Sequence, residues 1–343
     1  MPELRTTALC DILSRTLGPG EAKVLLTTVE LPAAIIASTV ADRAVVAAAL
    51  ALVLFRGLLE RVPQGDEYVE DQRRAGRRIV FDHGALRTVA QPCGLLPAGR
   101  GAFSRLLEPL GYRRTAVYPL ERIGMTGHAY THEEFPETLP QYFVSELHPE
   151  RFSPGFRAAV TRIVGDSRDP LHSQAAGHLG ELAWSGHLPR REAACLVEDL
   201  ANCFDRQHNA PNEADYEILL AESPEMAWIA TEGNAFNHAT DRVADLARLC
   251  EEQRRLGRSL KDRIEVSASG RIRQTAFRAA PVERGLLRPD GSVTVRTVPG
   301  SFFEFINRAS HLDVATGRMA LDLGFDSANA QGIFRMTSPA EEE

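Results

Sequence analysis

Three short stretches of this sequence contain the residue types best suited to holding a catalytic metal ion. They contribute His83, His238 and Glu304, one from each stretch and each in a compact apolar setting. Two imidazoles and one carboxylate are the ligand set of a non-haem Fe(II) site that keeps coordination positions open. The three residues are far apart in the chain, which fits a sheet or barrel interior supplied by different strands and differs from the single helix of an HExxH zinc site. The sequence therefore predicts a metal site at which three distant segments meet.

Glu304 is the most informative of the three residues. Its segment alternates like a strand, so its side chain shares a face with Phe302 and Ile306. An ionised carboxylate on an apolar face is unfavourable unless a cation or hydrogen-bond donors compensate its charge. A role as metal ligand meets that requirement. The alternative is a solvated Glu304 on an exposed sheet face, where it pairs with Arg308.

His238 lies after a turn signal, Gly233 and Asn234, and before a helix-like segment. Taken alone, it fits an ordinary histidine that is hydrogen-bonded in the core or at the surface. The similar settings of His83 and Glu304 favour the metal-ligand interpretation.

Arg87 follows His83 by four residues. If a helical turn begins near His83, the two side chains share a face and lie about 6 Å apart. On a continuous strand they would be roughly 13 Å apart, too far to serve one small ligand. We predict the turn, with a surface or capping arginine as the alternative for Arg87.

His128 and His132 form a competing pair of histidines. They could hold a metal ion if their segment is helical or tightly turned. The acidic residues that follow, Glu133, Glu134 and Glu137, indicate instead a polar, exposed loop that could serve as a lid. Five further histidines lie in polar or helical contexts and are expected to be structural or exposed: His172, His178, His187, His208 and His311.

The three stretches, in this order and at this spacing, resemble the 2-oxoadipate dioxygenase/decarboxylase family, whose members are also called hydroxyglutarate synthases. The motifs are His-Gly-Ala-Leu-Arg at 83–87, Gly-Asn-Ala-Phe-Asn-His at 233–238 and Phe-Phe-Glu-Phe at 302–305. Supporting stretches lie at 143–147, 273–276 and 331–334. The resemblance covers roughly residues 20–335.

The resemblance implies one Fe(II) ion and a carboxylate-binding arginine. The metal ligands that it implies are His83, His238 and Glu304. The substrate contacts that it implies are Arg87, His83, Ala328 and Asn329. A planar guanidinium such as that of Arg87 suits the clamping of a carboxylate.

The implied reaction is the oxidative decarboxylation of a 2-oxo acid by O2. With 2-oxoadipate the products would be 2-hydroxyglutarate and CO2, a step of lysine catabolism, and no separate 2-oxoglutarate cosubstrate would be needed. One alternative is a vicinal-oxygen-chelate metalloenzyme acting as a lyase, an isomerase or a ring-cleaving oxygenase on another substrate. The other is a non-catalytic metal-binding protein.

The expected fold is α+β, with a vicinal-oxygen-chelate-like mixed β-sheet or half-barrel around the metal site. We expect five segments in one integrated catalytic domain. They are an N-terminal helical part (1–76), a first sheet-forming module (77–152), a helical insertion with the second histidine (153–252), a second sheet-forming module (253–335) and a disordered tail (336–343). The polar residues 61–76 are expected to form a connection.

Composition narrows the class of partner. The net charge of −7, without any block of Lys or Arg, argues against a nucleic-acid-binding surface. The apolar run from Ala44 to Phe55 is too short to cross a bilayer and predicts a buried core helix. Five cysteines without CxxC spacing indicate reduced thiols in the cytoplasm. The composition thus predicts no nucleic-acid partner and no membrane. The resemblance implies a small 2-oxo acid and O2 as partners, and the oligomeric state stays open.

Overall fold

A computed structural model describes residues 7–314 and 317–327 of the chain. It confirms the predicted α+β class, with helices packed around a curled half-barrel sheet. The helices are α1 (Ala8–Leu17), α2 (Pro19–Thr28), α3 (Ala33–Ala37), α4 (Arg43–Arg61), α5 (Pro63–Arg74), α6 (Gly101–Leu107), α7 (Pro154–Val164), α8 (Ser173–Ser185), α9 (Arg190–Asn202), α10 (Glu213–Glu222), α11 (Pro224–Glu232) and α12 (Leu246–Arg255).

Most of the strands belong to one mixed sheet. The strands are β1 (Ala41–Asp42), β2 (Phe81–Val89), β3 (Tyr112–Leu120), β4 (Met125–His132), β5 (Gln141–Leu147), β6 (His187–Leu188), β7 (Phe236–Arg242), β8 (Glu265–Val266), β9 (Ile272–Ala276), β10 (Pro281–Leu287), β11 (Val293–Pro299), β12 (Phe302–Arg308), β13 (Ser310–Asp313) and β14 (Arg318–Leu321). The main sheet has eight strands in the order β3-β4-β5-β2-β7-β12-β9-β8. Within it, β2 runs parallel to β5 and β7 runs parallel to β12, while the other neighbours are antiparallel. Its centre is thus formed by β2, β7 and β12, the strands that carry the three predicted ligands.

Helix α4 begins at a capped turn and is buried over most of its length. The Asp42 side chain accepts a hydrogen bond from the Val45 amide, which satisfies one of the free amides of the first turn. Thirteen of its residues are buried, as the apolar run predicts for a core helix. Among the described residues, no helix has both the length and the apolar character that crossing a bilayer requires.

The two faces of the sheet pack against different helices. One apolar cluster joins the N-terminal helices, α8 and α9 to one face, through residues such as Leu86, Tyr142 and Phe303. A second cluster joins α7, α10 and α11 to the other face, through residues such as Ala85 and Phe143. The segment predicted as a helical insertion therefore supplies helices to both faces, and it also contributes β7 to the sheet.

Two local predictions are wrong. Residues 63–74 form α5 instead of a polar connection, because a Pro at its first turn and a buried stripe with Tyr68 and Val69 suit an amphipathic helix. The segment with His128 and His132 is the buried strand β4 instead of an exposed loop. The acidic residues that suggested exposure lie beyond the end of that strand. All five cysteines are free, as expected.

Candidate metal centre

The register of the three central strands brings the predicted ligands together. Thr240 on β7 is paired with His83 on β2 and with Glu304 on β12. His238, two residues earlier on β7, shares the face of Thr240 because strand side chains alternate. Three predicted ligands from distant segments therefore meet on one face of the sheet.

The ligand atoms lie close to one another in a buried site. His83 Nε2 is 3.1 Å from Glu304 Oε2, and His238 Nε2 is 3.3 Å from the same oxygen. The two Nε2 atoms are 3.4 Å apart. All three side chains are almost fully buried.

This arrangement fits a single divalent metal ion. Ligand atoms at right angles about one ion, with bonds of ~2.1 Å, lie roughly 3 Å apart, which is close to the separations found here. Within the residues that the structure describes, this is the one cluster of three or more His, Cys, Asp or Glu side chains suited to a metal. Two imidazoles and one carboxylate on one face are also the donors of a facial triad, which leaves positions for other ligands.

The charges of the site favour a cation between the ligands. Burial acts to lower the pKa of His83, but the carboxylates of Asp82 and Glu304 hold it above its usual value. Burial lowers the pKa of His238 despite the nearby Glu304 carboxylate, so this imidazole is readily neutral. Burial would raise the pKa of Glu304, yet the two histidines hold it well below its usual range. The ionised Glu304 and the neutral His238 therefore face a position that attracts a cation.

A buried ion pair fixes the orientation of His83. His83 Nδ1 donates to Asp82 Oδ1 over 2.8 Å, which leaves Nε2 to face the site. Arg308 donates to both oxygens of Asp82, at 2.9–3.1 Å, and to the carbonyl oxygens of Asp322 and Gly324. Burial alone would raise the pKa of Asp82, but Arg308 and His83 keep it well below its usual range. Asp82 therefore stays ionised and holds the imidazole in place.

Two shifts of register place extra side chains in the site. On β2 the pairing with β7 shifts at Asp82, and on β7 it shifts at Asn237. Such irregularities of the β-bulge kind redirect a side chain that strict alternation would send to the other face. As a result Asp82 and Asn237 lie on the same side as the ligands that follow them.

A cavity opens beside the ligands. It has an empty volume of about 410 Å³, part of which is open to solvent. Aromatic rings and polar side chains surround it together with the three ligands. Its lining residues are His83, Ala85, Phe143, Ser145, Asn237, His238, Gln274, Glu304, Phe325 and Asp326.

Arg87 lies on a strand, so the predicted turn after His83 is wrong. β2 continues through both residues, because the run Ala85, Leu86 and Val89 is buried on both faces of the sheet. Arg87 points to the same side as His83 but is fully buried, and the surface alternative is wrong as well. Its guanidinium lies over the Trp228 ring, 4.8 Å from the ring centre, and is not among the groups that line the cavity.

The charge of Arg87 reaches the metal centre. Burial lowers the pKa of Arg87 to about 9, although the carboxylate of Glu225 acts to raise it. The side chain is thus a buried cation at neutral pH. Burial is the main cause of the lowered pKa of His238, and the charge of Arg87 acts in the same direction.

The other predicted residues lie away from the site or outside the described part of the chain. His128 contacts Glu146, with Nε2 3.2 Å from a carboxylate oxygen, and does not line the cavity. His208 contacts the Ala230 carbonyl oxygen, and His172 caps α8, as expected for structural histidines. Ala328 and Asn329, the further predicted substrate contacts, lie outside the described residues.

Four residues at the site were not predicted from the sequence. Asp82 and Arg308 support His83, and the Thr240 hydroxyl donates to Glu304 Oε2 over 2.7 Å. Phe325 packs edge-on against the His83 ring at 4.9 Å. A signal was present for Asp82, since a carboxylate commonly orients a metal-binding imidazole. Thr240 was also identifiable, because it lies two residues after His238 and so shares its strand face.

The chain matches a known protein family over most of its length. Residues 49–333 match the model of the 2-oxoadipate dioxygenase/decarboxylase family. No curated protein sequence matches the chain.

Solved structures share the fold. A protein from Ralstonia eutropha JMP134, named only as a member of the glyoxalase superfamily, is 51% identical, with a TM-score of 0.88. That match covers 93% of this chain and 98% of the other. The hydroxyglutarate synthase of Oryza sativa, solved with 2-oxoadipate, is 20% identical over 91% of this chain and 95% of its own, with a TM-score of 0.65. The Pseudomonas putida hydroxyglutarate synthase, also solved with 2-oxoadipate, is 21% identical over 86% of this chain and 72% of its own, with a TM-score of 0.55.

Proposed function

The chain belongs to the 2-oxoadipate dioxygenase/decarboxylase family, and we propose that it is an Fe(II)-dependent member acting on a 2-oxo acid. The first candidate substrate is 2-oxoadipate, because two synthases of the same fold were solved with it. The proposed reaction joins 2-oxoadipate and O2 and yields 2-hydroxyglutarate and CO2. One oxygen atom enters the new carboxylate and the other enters the new hydroxyl, so the atoms balance without a further oxidant.

The observation that carries this proposal is the convergence of His83, His238 and Glu304 beside a cavity. Three ligands on one face leave the opposite side of an ion open, which a structural metal site does not need. Iron(II) bound there would supply a position at which the oxo acid chelates and O2 reacts. Manganese or zinc would fit the same donors, so the identity of the metal ion is part of the proposal.

The chain's own residues hold and orient the reactants in this proposal. Asp82 keeps Nε2 of His83 directed at the metal position, and Thr240 holds the Glu304 carboxylate by its hydroxyl hydrogen bond. The rings of Phe143 and Phe325 lie 4.8 Å apart and form an apolar wall of the cavity. Apolar surroundings strengthen charge interactions with an anionic substrate.

Arg87 remains our proposed partner for a substrate carboxylate. It is a buried cation on the strand face of His83, with an aromatic ring on one side and Glu225 as its nearby opposing charge. An arginine side chain spans several ångströms, so the strand separation of the two residues does not exclude a shared ligand. Ala328 and Asn329 stay proposed substrate contacts on the family resemblance alone.

Product analysis tests the function. The purified protein is loaded with Fe(II) without air and then given 2-oxoadipate and isotopically heavy O2. We expect 2-hydroxyglutarate that carries two heavy oxygen atoms, and no product from Glu304→Ala. A hydroxy acid without heavy oxygen, or a protein that consumes none of a panel of 2-oxo acids, would refute the proposal.

One observation keeps a second function open. The relative that is 51% identical is named only as a glyoxalase superfamily protein, which is compatible with a lyase, an isomerase or a ring-cleaving oxygenase on the same scaffold. Such an enzyme would bind metal at the same three ligands but release no CO2 from an oxo acid. Release of CO2 therefore separates the two functions.

The proposed partners are small molecules. A net charge of −7 disfavours binding of nucleic acid, whose phosphates attract basic surfaces. A cytoplasmic location and a role in lysine catabolism also stay predictions from the sequence.

A further inference from the structure

The two ends of the cavity differ in charge. Pairing between β2 and β7 places Ala85 opposite His238 and Leu86 opposite Phe236, so Asn237 lies between the metal ligands and the level of Arg87. Ser145 on β5 is paired with Arg87 itself. One end of the cavity therefore combines a serine hydroxyl and an amide with a buried cation close behind them.

The opposite end contains acidic residues, and Lys261 balances one of them by its contact with Glu265 over 2.6 Å. Gln274 is paired with Ile306, two residues beyond Glu304 on β12, and its amide donates to Glu265 over 3.3 Å. Asp326 also lines the cavity, and its carboxylate accepts a hydrogen bond from the Ala268 amide over 2.9 Å. The buried charge of Arg87 would attract a second carboxylate on a substrate toward its own end of the cavity.

Asn237 carries a polar group that the protein does not satisfy. The side chain is 2% exposed, and among the described residues its Oδ1 has no hydrogen-bond partner. A buried polar atom without a partner is costly, and an apolar residue would fill the register shift without that cost. An amide presents either its oxygen or its NH2 group after a half-turn, so it can donate to a carboxylate.

We propose that Asn237 determines specificity for dicarboxylic substrates by donating a hydrogen bond to the carboxylate that lies away from the metal ligands. This proposal rests on the proposed function, since it assumes that a 2-oxo acid binds by its other end beside His238. Ser145 lines the same end of the cavity and is the second neutral group available to that carboxylate. The residue contacts substrate and takes no part in holding the metal.

Anaerobic binding measurements test the proposal without turnover. The metal-loaded protein is titrated with 2-oxoadipate and with 2-oxohexanoate, which has the same chain length but no second carboxylate. Loss of one hydrogen bond to a charged group weakens binding by about 10–100-fold. We expect Asn237→Ala to weaken the binding of 2-oxoadipate by that factor and the binding of 2-oxohexanoate by less than about threefold.

A second variant and a control make the result specific. Asn237→Asp keeps the shape of the side chain but adds a negative charge that repels a carboxylate. It should therefore weaken the binding of 2-oxoadipate even more than Asn237→Ala does. The control is Asn307→Ala, because this amide on β12 donates to the backbone oxygens of Val243 and Ala244 and does not line the cavity as far as the structure describes the chain. Metal content and thermal melting of each variant show whether the metal site and the fold are intact.

Several outcomes overturn the proposal, and they differ from failure of the function. Equal losses for both acids in the Asn237 variants would place the residue at the metal end and refute it. Unchanged binding of 2-oxoadipate would also refute it, while the wild-type protein still supports the proposed function. If the wild-type protein binds neither acid nor any longer 2-oxo acid, the proposed function is wrong, and this inference with it.

Discussion

At the scale of single residues, the candidate metal centre depends on charges that compensate one another. Glu304 lies on an apolar strand face, and two imidazoles beside it compensate its carboxylate. The alternative pairing of Glu304 with Arg308 is wrong, because Arg308 is committed to Asp82. The ion pair between Asp82 and Arg308 depends on a register shift in β2, which no local sequence pattern reveals.

Arg87 lies on a strand, although its spacing from His83 favours a helical turn. The backbone separation on a strand excludes a shared ligand only if the length of the arginine side chain is neglected. The actual strand is buried on both faces, so its sequence lacks the alternation that would have identified it. The side shared by His83 and Arg87 follows from strand geometry as well as from a helical turn.

Asp82→Asn should weaken metal binding while leaving all three ligands in place. The amide can no longer balance the buried Arg308 or fix the charge state of His83 through a carboxylate. Changes to groups that support a metal ligand typically reduce affinity by about 10–100-fold. Competition with a chelator measures this affinity, and Asp71→Asn, which alters a partly exposed pair with Arg258, is the control. Equal metal affinities of Asp82→Asn and wild type would contradict this role.

At the scale of elements, the strand that carries Glu304 was predicted from its alternating side chains. The structure confirms it as β12 (Phe302–Arg308), and the apolar run from Ala44 to Phe55 lies in the predicted core helix, α4. Helix α5 was missed because its polar residues dominate the composition, although only one stripe of it is buried. The buried β4 was missed because the acidic residues after it were read as part of the same segment. In both cases tertiary burial decided the structure.

Gly84 is a glycine because the sheet leaves no room for a side chain there. A Cβ at this position would lie 2.4 Å from the Phe236 ring on the neighbouring strand. Gly84→Ala should therefore lower the free energy of unfolding by about 1–3 kcal/mol through overpacking. Gly177→Ala in α8 meets open space and should stabilise by up to about 1 kcal/mol. Denaturant unfolding measures both, and a Gly84 variant as stable as wild type would show that Phe236 is free to move aside.

Asp241 links the sheet to α5 and predicts a pH dependence. Tyr68 donates to it over 2.6 Å and the Val80 amide over 2.9 Å. Burial, aided by the charge of Asp82, raises the pKa of Asp241 to about 6 from the ordinary value of 3.8. The folded state thus binds this proton more tightly than the unfolded state. Ionisation of Asp241 therefore lowers the stability of the protein as the pH rises from about 4 to about 6.

Asp241→Asn should remove that loss of stability. The variant's free energy of unfolding, relative to wild type, should increase on the order of 2 kcal/mol between about pH 4 and about pH 7, and then level off. Urea unfolding of metal-free protein across this range measures the difference. A difference that does not change with pH would show that Asp241 titrates normally in the folded state.

At the scale of the whole molecule, the N-terminal helices and the sheet form one structure. A single apolar cluster contains residues of α1 and α4 together with Leu86, Phe236 and Phe303 from the central strands. The metal centre is therefore backed by helices that carry none of its ligands. The five segments proposed from the sequence describe the order of elements along the chain. They do not correspond to separate packing units, because helices from residues 153–252 pack on both faces of the sheet.

One shared core should make unfolding cooperative. We expect one calorimetric transition for the metal-free protein, with no separate melting of the N-terminal helices, since their apolar faces pack in the same cluster as the sheet. Agreement between the calorimetric and van't Hoff enthalpies is the measure. Two resolved transitions would contradict a single integrated domain.

The central claim is that His83, His238 and Glu304 hold a metal ion at which O2 oxidises and decarboxylates a 2-oxo acid. The most direct test records O2 uptake and CO2 release together, after anaerobic loading with Fe(II) and addition of 2-oxoadipate. The account predicts that both gases turn over in equal amounts in the wild-type protein, and that both fall to background in His238→Ala and Glu304→Ala. Metal binding without CO2 release from any 2-oxo acid would contradict the proposed reaction, and turnover that survives in both variants would contradict the site.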